Sequence, residues 1–316
     1  MSKPHSLVTA APLSTQMIYC GLLPNFETWQ KAKKQDRLSC KRLSKGDAEH
    51  KELAAVYSRC RKSDRCGSCK KCLKRARQSL IPQAAWHLLR LLKKRQREAK
   101  EKGAAMPKLW AVSAADARQA VPRDSLSVAA VTTKTETLSK AIERSVLKYA
   151  VVFGGVDFSL NFLRPTGSDP VWQPHYYLLI VTPSDTIVHS VLDKHFSPAV
   201  GTRSVPVRID EVDPKDLPTC VSYCLKAEFT RRESYKGRNG RIQTAKNSLK
   251  ANERDELAVF LHKLGIGNRL LLRGLKITKG KVTRTALCPQ HTLVKKAKIV
   301  TWSVQDGRPG LFDTTG

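Results

Sequence analysis

Two long β-rich runs, residues 150–162 (AVVFGGVDFSLNF) and 171–182 (VWQPHYYLLIVT), constrain this chain more than any other feature. β-Branched and aromatic residues favour strands, and the intervening RPTGSDP has the Pro, Gly, Ser and Asp of a hairpin connection. A helix capped by Thr137 precedes them, with Leu138, Ala141, Ile142, Val146 and Tyr149 at helical spacing. After them the pattern predicts a short helix over 185–194 and an edge strand at SVPVRIDEV. There Val205, Val207 and Ile209 alternate beside Pro206. A helix over 217–229 follows, then a basic Gly/Asn loop (RRESYKGRNGR). A further helix is capped by Asn252, carries Glu253, Asp255 and Glu256 in its first turn and is closed by Gly265. RLLLRGLKI and AKIVTWSV read as further strands. This order predicts a mixed α+β fold around an antiparallel sheet, not a doubly wound parallel one. Gly154-Gly155 lacks the lysine and helix of a phosphate loop.

The second constraint is charge. The 316 residues carry 57 Lys and Arg against 27 Asp and Glu, a net charge of +30. Charge of that sign implies a polyanionic partner, nucleic acid ahead of a membrane surface, although charge alone also permits RNA. No run of about 18 apolar residues occurs, so no membrane-spanning helix is expected. The first residues lack a signal-peptide profile, which points to the cytoplasm and to reduced thiols. With 41% hydrophobic residues the chain can bury a core.

Residues 1–110 hold 26 basic and 8 acidic side chains, +18 of the +30. Within them, nine basic residues between Arg59 and Arg77 surround four cysteines. A helix beginning at Pro82, with Trp86, Leu88, Leu89, Leu91 and Leu92, ends at Gly103. The expected organisation is a basic, cysteine-bearing arm over 1–110, a linker over 111–134, and an α+β domain with a C-terminal extension over 135–316.

Cys60, Cys66, Cys69 and Cys72 place four thiols within thirteen residues, as C-x5-C-x2-C-x2-C. In a reducing compartment such a cluster points to a structural, tetrahedral zinc, its thiolates favoured by the surrounding cations. The alternatives are an iron–sulfur cluster, against which the missing Cys-Pro counts, or no ligand. Arg59, Arg61, Lys62, Arg65, Lys70 and Lys71 around the cluster are candidate phosphate contacts. So are Arg231, Arg232, Lys236, Arg238 and Arg241 of the later basic segment, with Tyr235 as a stacking ring. Cys20, Cys40, Cys220, Cys224 and Cys288 have no paired spacing and read as ordinary thiols.

On a strand, His175 and Tyr177 share a face opposite Tyr176 and Leu178. On a helix, Tyr223 and Lys226 share a face. A tyrosine can be a covalent nucleophile, and a nearby ammonium can lower its pKa or steady charge on phosphate. The ordered set VDFSLN, W-x-P-H-x-x-L-L-I and Y-x-x-K resembles the three motifs of rolling-circle replication initiators of the HUH endonuclease superfamily. The resemblance covers roughly residues 135–280. It implies an antiparallel sheet of the palm type flanked by helices, and a Mg²⁺ or Mn²⁺ held by two histidines. It also implies nicking of single-stranded DNA by a helix tyrosine, with origin DNA and host replication proteins as partners. By resemblance His175 takes the first histidine position, Tyr223 the nucleophile and Lys226 the auxiliary cation. Tyr177 stands where the second histidine belongs, and a phenol is a poor ligand for these cations. Asp157, His189, His195, Asp210 or Glu211 are candidates to replace it. The alternative is a non-catalytic zinc-containing DNA-binding protein on the same fold.

Overall fold

The computed structural model describes residues 28–60, 66–163, 169–197, 205–278 and 281–285. Three helices come first, α1 (Trp29–Leu43), α2 (Ala48–Arg59) and α3 (Lys70–Glu101). Strand β1 (Lys108–Ala115), the two-residue β2 (Val121–Pro122) and helix α4 (Val128–Glu143) lead to the long pair β3 (Val151–Leu163) and β4 (Val171–Thr182). Helix α5 (Asp185–Leu192), strand β5 (Val207–Glu211) and helix α6 (Leu217–Cys224) follow. Strands β6 (Thr230–Lys236) and β7 (Ile242–Ser248), helix α7 (Ala251–Leu264), and the short strands β8 (Leu270–Arg273), β9 (Leu275–Thr278) and β10 (Lys281–Arg284) complete the order.

The expected hairpin pair forms the centre of the sheet. β3 and β4 run antiparallel from Val151 opposite Val181 to Asn161 opposite Val171. β1 lies antiparallel on the other edge of β4, and β5 lies outside β1 as an edge strand. The second edge of β3 is shared. β8 pairs antiparallel with residues 152–155, whereas β6 pairs in parallel with residues 159–163, and β7 closes the sheet beyond β6. A strand of 13 residues is long enough, at about 3.3 Å per residue, to carry both neighbours. Residues 156–158 lie in the gap between the two. The fold is therefore α+β as expected, but its sheet is mixed, because β6 enters parallel to β3.

Helices cover both faces. Residues of α4, α5 and α7, such as Leu138, Ile142, Val188, Phe260 and Leu264, pack on Val112, Phe158, Leu160, Trp172, Tyr176 and Ile180. Residues of α3 and α6, such as Ile81, Leu88, Leu92, Val221 and Cys224, pack on Leu109, Val151, Phe153, Leu179 and Val181. Burial on both faces explains why the β3 and β4 runs are apolar nearly throughout. Helices α1 and α2 form a third cluster with the cysteines, in which Leu43, Leu53 and Tyr57 meet Val259 of α7.

Several elements differ from expectation. Residues 111–134, expected as a linker, hold most of β1, all of β2 and the start of α4. Their Ala and Ser content reads as linker, yet Leu109 and Ala111 face one layer while Trp110, Val112 and Ala114 face the other. Helix α4 begins nine residues before Thr137, because the Ser127 side chain accepts from Ala130 N. Helix α3 begins at Lys70, with Pro82 inside it. Its true cap is the Cys69 sulfur, which accepts from Cys72 N, joined by the Asp36 carboxylate, which accepts from Lys70 N and Lys71 N. The basic loop is the β6–β7 hairpin, with Gly237 N donating to the Arg241 carbonyl and Gly240 at φ 75°. Helix α6 stops at Cys224, and α7 is capped at Lys250, not Asn252. Gly265 does close α7, at φ 69°. Cys20, Cys288, Arg61, Lys62, Arg65 and the AKIVTWSV run lie outside the described residues.

Candidate functional site

The alternation of VDFSLN puts Asp157, Ser159 and Asn161 on the opposite face of β3 from Val156, Phe158 and Leu160. The β3–β4 register sets Asp157 beside His175 and Gly155 beside Tyr177. His175 Nε2 lies 2.7 Å from Ser159 Oγ, and the Ser159 hydroxyl in turn donates to Asn161 Oδ1 at 2.9 Å. With that hydrogen committed, the imidazole is the donor at Nε2. Burial, followed by the charges of Arg232 and Lys226, pushes the His175 pKa down to about 3, so the ring is neutral at pH 7.

Tyr177 and Tyr223 meet over the same face, with ring centroids 5.6 Å apart and planes tilted by 44°. Tyr177 is half-buried, and burial raises its pKa well above the ordinary tyrosine range, so it stays a neutral phenol. Tyr223 is 43% exposed. Cys224, one residue on, packs onto the sheet backbone on the same face, with its sulfur 3.7 Å from the Tyr177 carbonyl. The chain can cross there only because Gly155 has no side chain. A β-carbon on Gly155 would sit 1.9 Å from the Cys224 carbonyl oxygen.

Because α6 ends at Cys224, Lys226 is not one helical turn from Tyr223 but on the segment that enters the gap at residues 156–158. Its Nζ lies 2.7 Å from Asp157 Oδ2, while Asp157 Oδ1 is buried without a hydrogen bond among the described residues. Arg269, fully buried, donates from Nη2 to the Lys226 carbonyl and from Nε to the Val156 carbonyl. Sequence reasoning missed Ser159, Asn161 and Arg269. The first two were visible in the alternation of VDFSLN, but nothing local marks Arg269.

The residues around His175 do not fit a resident Mg²⁺ or Mn²⁺. Asp157 is paired with an ammonium and Tyr177 holds its proton, so Nδ1 of His175, left free by the Nε2 bond to Ser159, is the one uncommitted donor among these three residues, too few for such a cation. The other candidates are elsewhere. His189 pairs with Asp193, Asp210 with Arg208 and Glu211 with Lys108, and the His195 carbonyl is held by Lys134.

The four cysteines do converge. Among the described residues, Cys60, Cys66, Cys69 and Cys72 form the group whose ligand atoms all lie within 4.8 Å of one another, and they can hold a metal ion. A tetrahedron with metal–sulfur arms of about 2.3 Å has edges near 3.8 Å, and the sulfur separations, from 2.9 Å between Cys60 and Cys72 to no more than 4.8 Å, lie around that length. Hydrogen bonds from Cys69 and Cys72 pull the Cys66 pKa down and favour its thiolate, whereas Cys69 and Cys72 are pushed up. Four thiolates so close together need a cation to ionise jointly.

The basic residues separate by face. Arg231 is buried and spent, paired with Glu233 and with Glu253 of α7. Its neighbour Arg232 aligns with Asn161, its charge reaches His175, and its Nε is buried without a hydrogen bond among the described residues. Arg59 is exposed, Lys71 half-buried, and the Lys70 ammonium donates to the Ala227 carbonyl. Lys236, Arg238 and Arg241 lie at the hairpin end, with Tyr235 exposed. No helix among the described residues is long and apolar enough to cross a membrane.

Comparison with protein-family models, with curated proteins and with solved structures finds no match to this chain.

Proposed function

We propose that this protein is a replication-initiator-like protein of the HUH type, with a palm-type sheet, that binds origin DNA and nicks one strand through Tyr223. The observation that carries the reading is the placement of an exposed tyrosine on the sheet face that holds His175, with the Lys226 ammonium on the adjoining strand gap. Tyr223 Oη attacks the phosphorus of a single-stranded phosphodiester, and its proton passes to solvent. The P–O3′ bond breaks, leaving a 5′-phosphotyrosine link and a 3′-oxygen that takes up a proton to become a free hydroxyl. Lys226 steadies the phosphate charge as the bond order changes. The four cysteines hold a structural zinc.

Incubation with a pool of 3′-labelled single-stranded oligonucleotides, followed by a denaturing gel, tests this. A labelled covalent adduct is expected for the wild type and none for Tyr223→Phe. Absence of any adduct, with or without Mn²⁺, overturns the nicking step. The unsatisfactory donor set for a divalent cation at His175 favours a second reading, a non-catalytic zinc-containing DNA-binding protein. That reading predicts salt-sensitive DNA binding with no adduct.

A further inference from the structure

We infer that the phosphate at this site is met by cations built into the protein, Lys226 and Arg232, and that its binding and transfer need no divalent metal. This rests on the reading of Tyr223 as nucleophile, and it replaces the metal that reading would otherwise bring.

The sheet forks along β3. β8 covers residues 152–155 of β3 and β6 covers residues 159–163, so Asp157 sits in the gap. The segment after α6 fills that gap and is held by its backbone. The Lys226 carbonyl accepts from Arg269, and the next carbonyl, that of Ala227, accepts from Lys70. With its main chain fixed on both sides, Lys226 lays its ammonium 2.7 Å from Asp157 Oδ2, yet the side chain keeps 30% of its exposure. It is an oriented cation with an open side. Arg232, on β6, stands opposite Asn161, on the sheet face of His175, and its charge is felt there. It is half-buried, its Nε has no hydrogen-bond partner and no carboxylate among the described residues pairs with it. The contrast with Arg231, which faces the other way and meets two glutamates, shows that the neighbourhood neutralises a guanidinium where none is needed.

Asp157 balances one of these two charges. With the buried Arg269 also within reach of Asp157, the cations outnumber the carboxylate, and the site is net positive, as a phosphodiester requires. A divalent cation at Asp157 would have to displace the ammonium and then sit next to a guanidinium, so like charges oppose it twice. The same carboxylate therefore acts as a positioning residue for Lys226. Guanidinium and ammonium donors on a phosphate are charge-assisted hydrogen bonds, the class that loses most when one partner is removed.

The test uses the full chain in buffer freed of Mg²⁺ and Mn²⁺ by chelating resin, with its zinc content checked afterwards. Adduct yield from 3′-labelled single-stranded DNA is expected to be the same, within about twofold, with and without added Mn²⁺, while Lys226→Met and Arg232→Met each lower it about tenfold and Mn²⁺ restores neither. Adduct formed only with Mn²⁺ leaves the nicking reading standing and overturns this inference. If no adduct forms under any condition, the nicking reading fails and the transfer part of the inference fails with it, and the binding part is decided by fluorescence anisotropy with the same oligonucleotides. Affinity that is independent of Mn²⁺ and about tenfold weaker in the two variants supports it, and affinity unchanged in them overturns it. Asp157→Asn guards against misfolding of the methionine variants. It weakens metal-free DNA binding modestly if Asp157 only positions Lys226, whereas a Mn²⁺-driven gain in wild-type binding that Asp157→Asn loses marks Asp157 as a metal ligand and overturns the inference.

Discussion

Arg231 and Arg232 are adjacent, chemically identical and opposite in consequence. The Arg231 side chain is 9% exposed and tied to Glu233 and Glu253, so truncation leaves two buried carboxylates without their cation. Arg231→Ala should cost about 3–5 kcal/mol of stability in urea unfolding. Arg232→Ala removes a cation that nothing in the described fold uses, and should leave the unfolding midpoint nearly unchanged while weakening oligonucleotide binding. His175 adds a pH signature at the same scale. Its pKa falls from 6.5 to about 3 on folding, through burial first and the Arg232 and Lys226 charges after it. Between these values the unfolded chain takes up a proton that the folded chain refuses. The stability is present above pH 6.5 and drains away as pH falls towards 3, by up to about 1.4 kcal/mol per pH unit. Unfolding midpoints at pH 7, 6 and 5 should drop for the wild type, and His175→Asn should flatten that slope.

At the scale of elements, α3 joins the cysteine cluster to the strand gap. Its first turn is capped by Cys69 and by Asp36, and its first residue holds the Ala227 carbonyl next to Lys226. Removing the metal-binding group should therefore fray this end and loosen Lys226. Metal analysis is expected to find one zinc per chain, and Cys69→Ser to lose it with about 4 kcal/mol or more of stability. A fully folded, zinc-free protein of wild-type stability would count against a structural site. The legibility of these elements followed the range of their signals. Strands β3 and β4, the short α5 and the end of α7 at Gly265 were legible because alternation, helical spacing and a positive-φ glycine act within a few residues. The start of α3 was not, since its carboxylate cap comes from 34 positions upstream and Pro82 offered a false start. Strand β1 was lost because alanine and serine become strand residues only when β4 and β5 flank them. In the candidate site, His175 and Tyr177 were legible as one strand face, whereas Tyr223 joins them only through the fold and Lys226 lies beyond the helix on which the spacing set it. Its true partner Asp157 became clear only once β8 and β6 left a gap in the sheet.

At the scale of the molecule, residues 28–60 and 66–110 of the basic N-terminal third are part of the fold and not an arm beside it. β1 stands between β4 and β5, and α3 supplies much of one face of the sheet. The α1–α2 pair is fastened to α7 by Arg42, whose Nε and Nη2 each lie 2.6 Å from an Asp255 oxygen. Leu80, Ile81, Leu88, Leu91 and Leu92 of α3 are all buried, and at about 2 kcal/mol each their burial is worth about 10 kcal/mol. That equals the whole net stability of a typical domain. Residues 135–316 expressed alone would therefore expose Leu179, Val181, Val151 and Phe153 on one face and an unpaired edge of β4. The expected result is an aggregating or partly structured fragment without a cooperative melt, whereas residues 28–285 melt cooperatively. A fragment 135–316 that folds and binds single-stranded DNA as tightly as the full chain would show instead that the sheet stands without its N-terminal layer, and would return the cysteine region to the role of a separate arm.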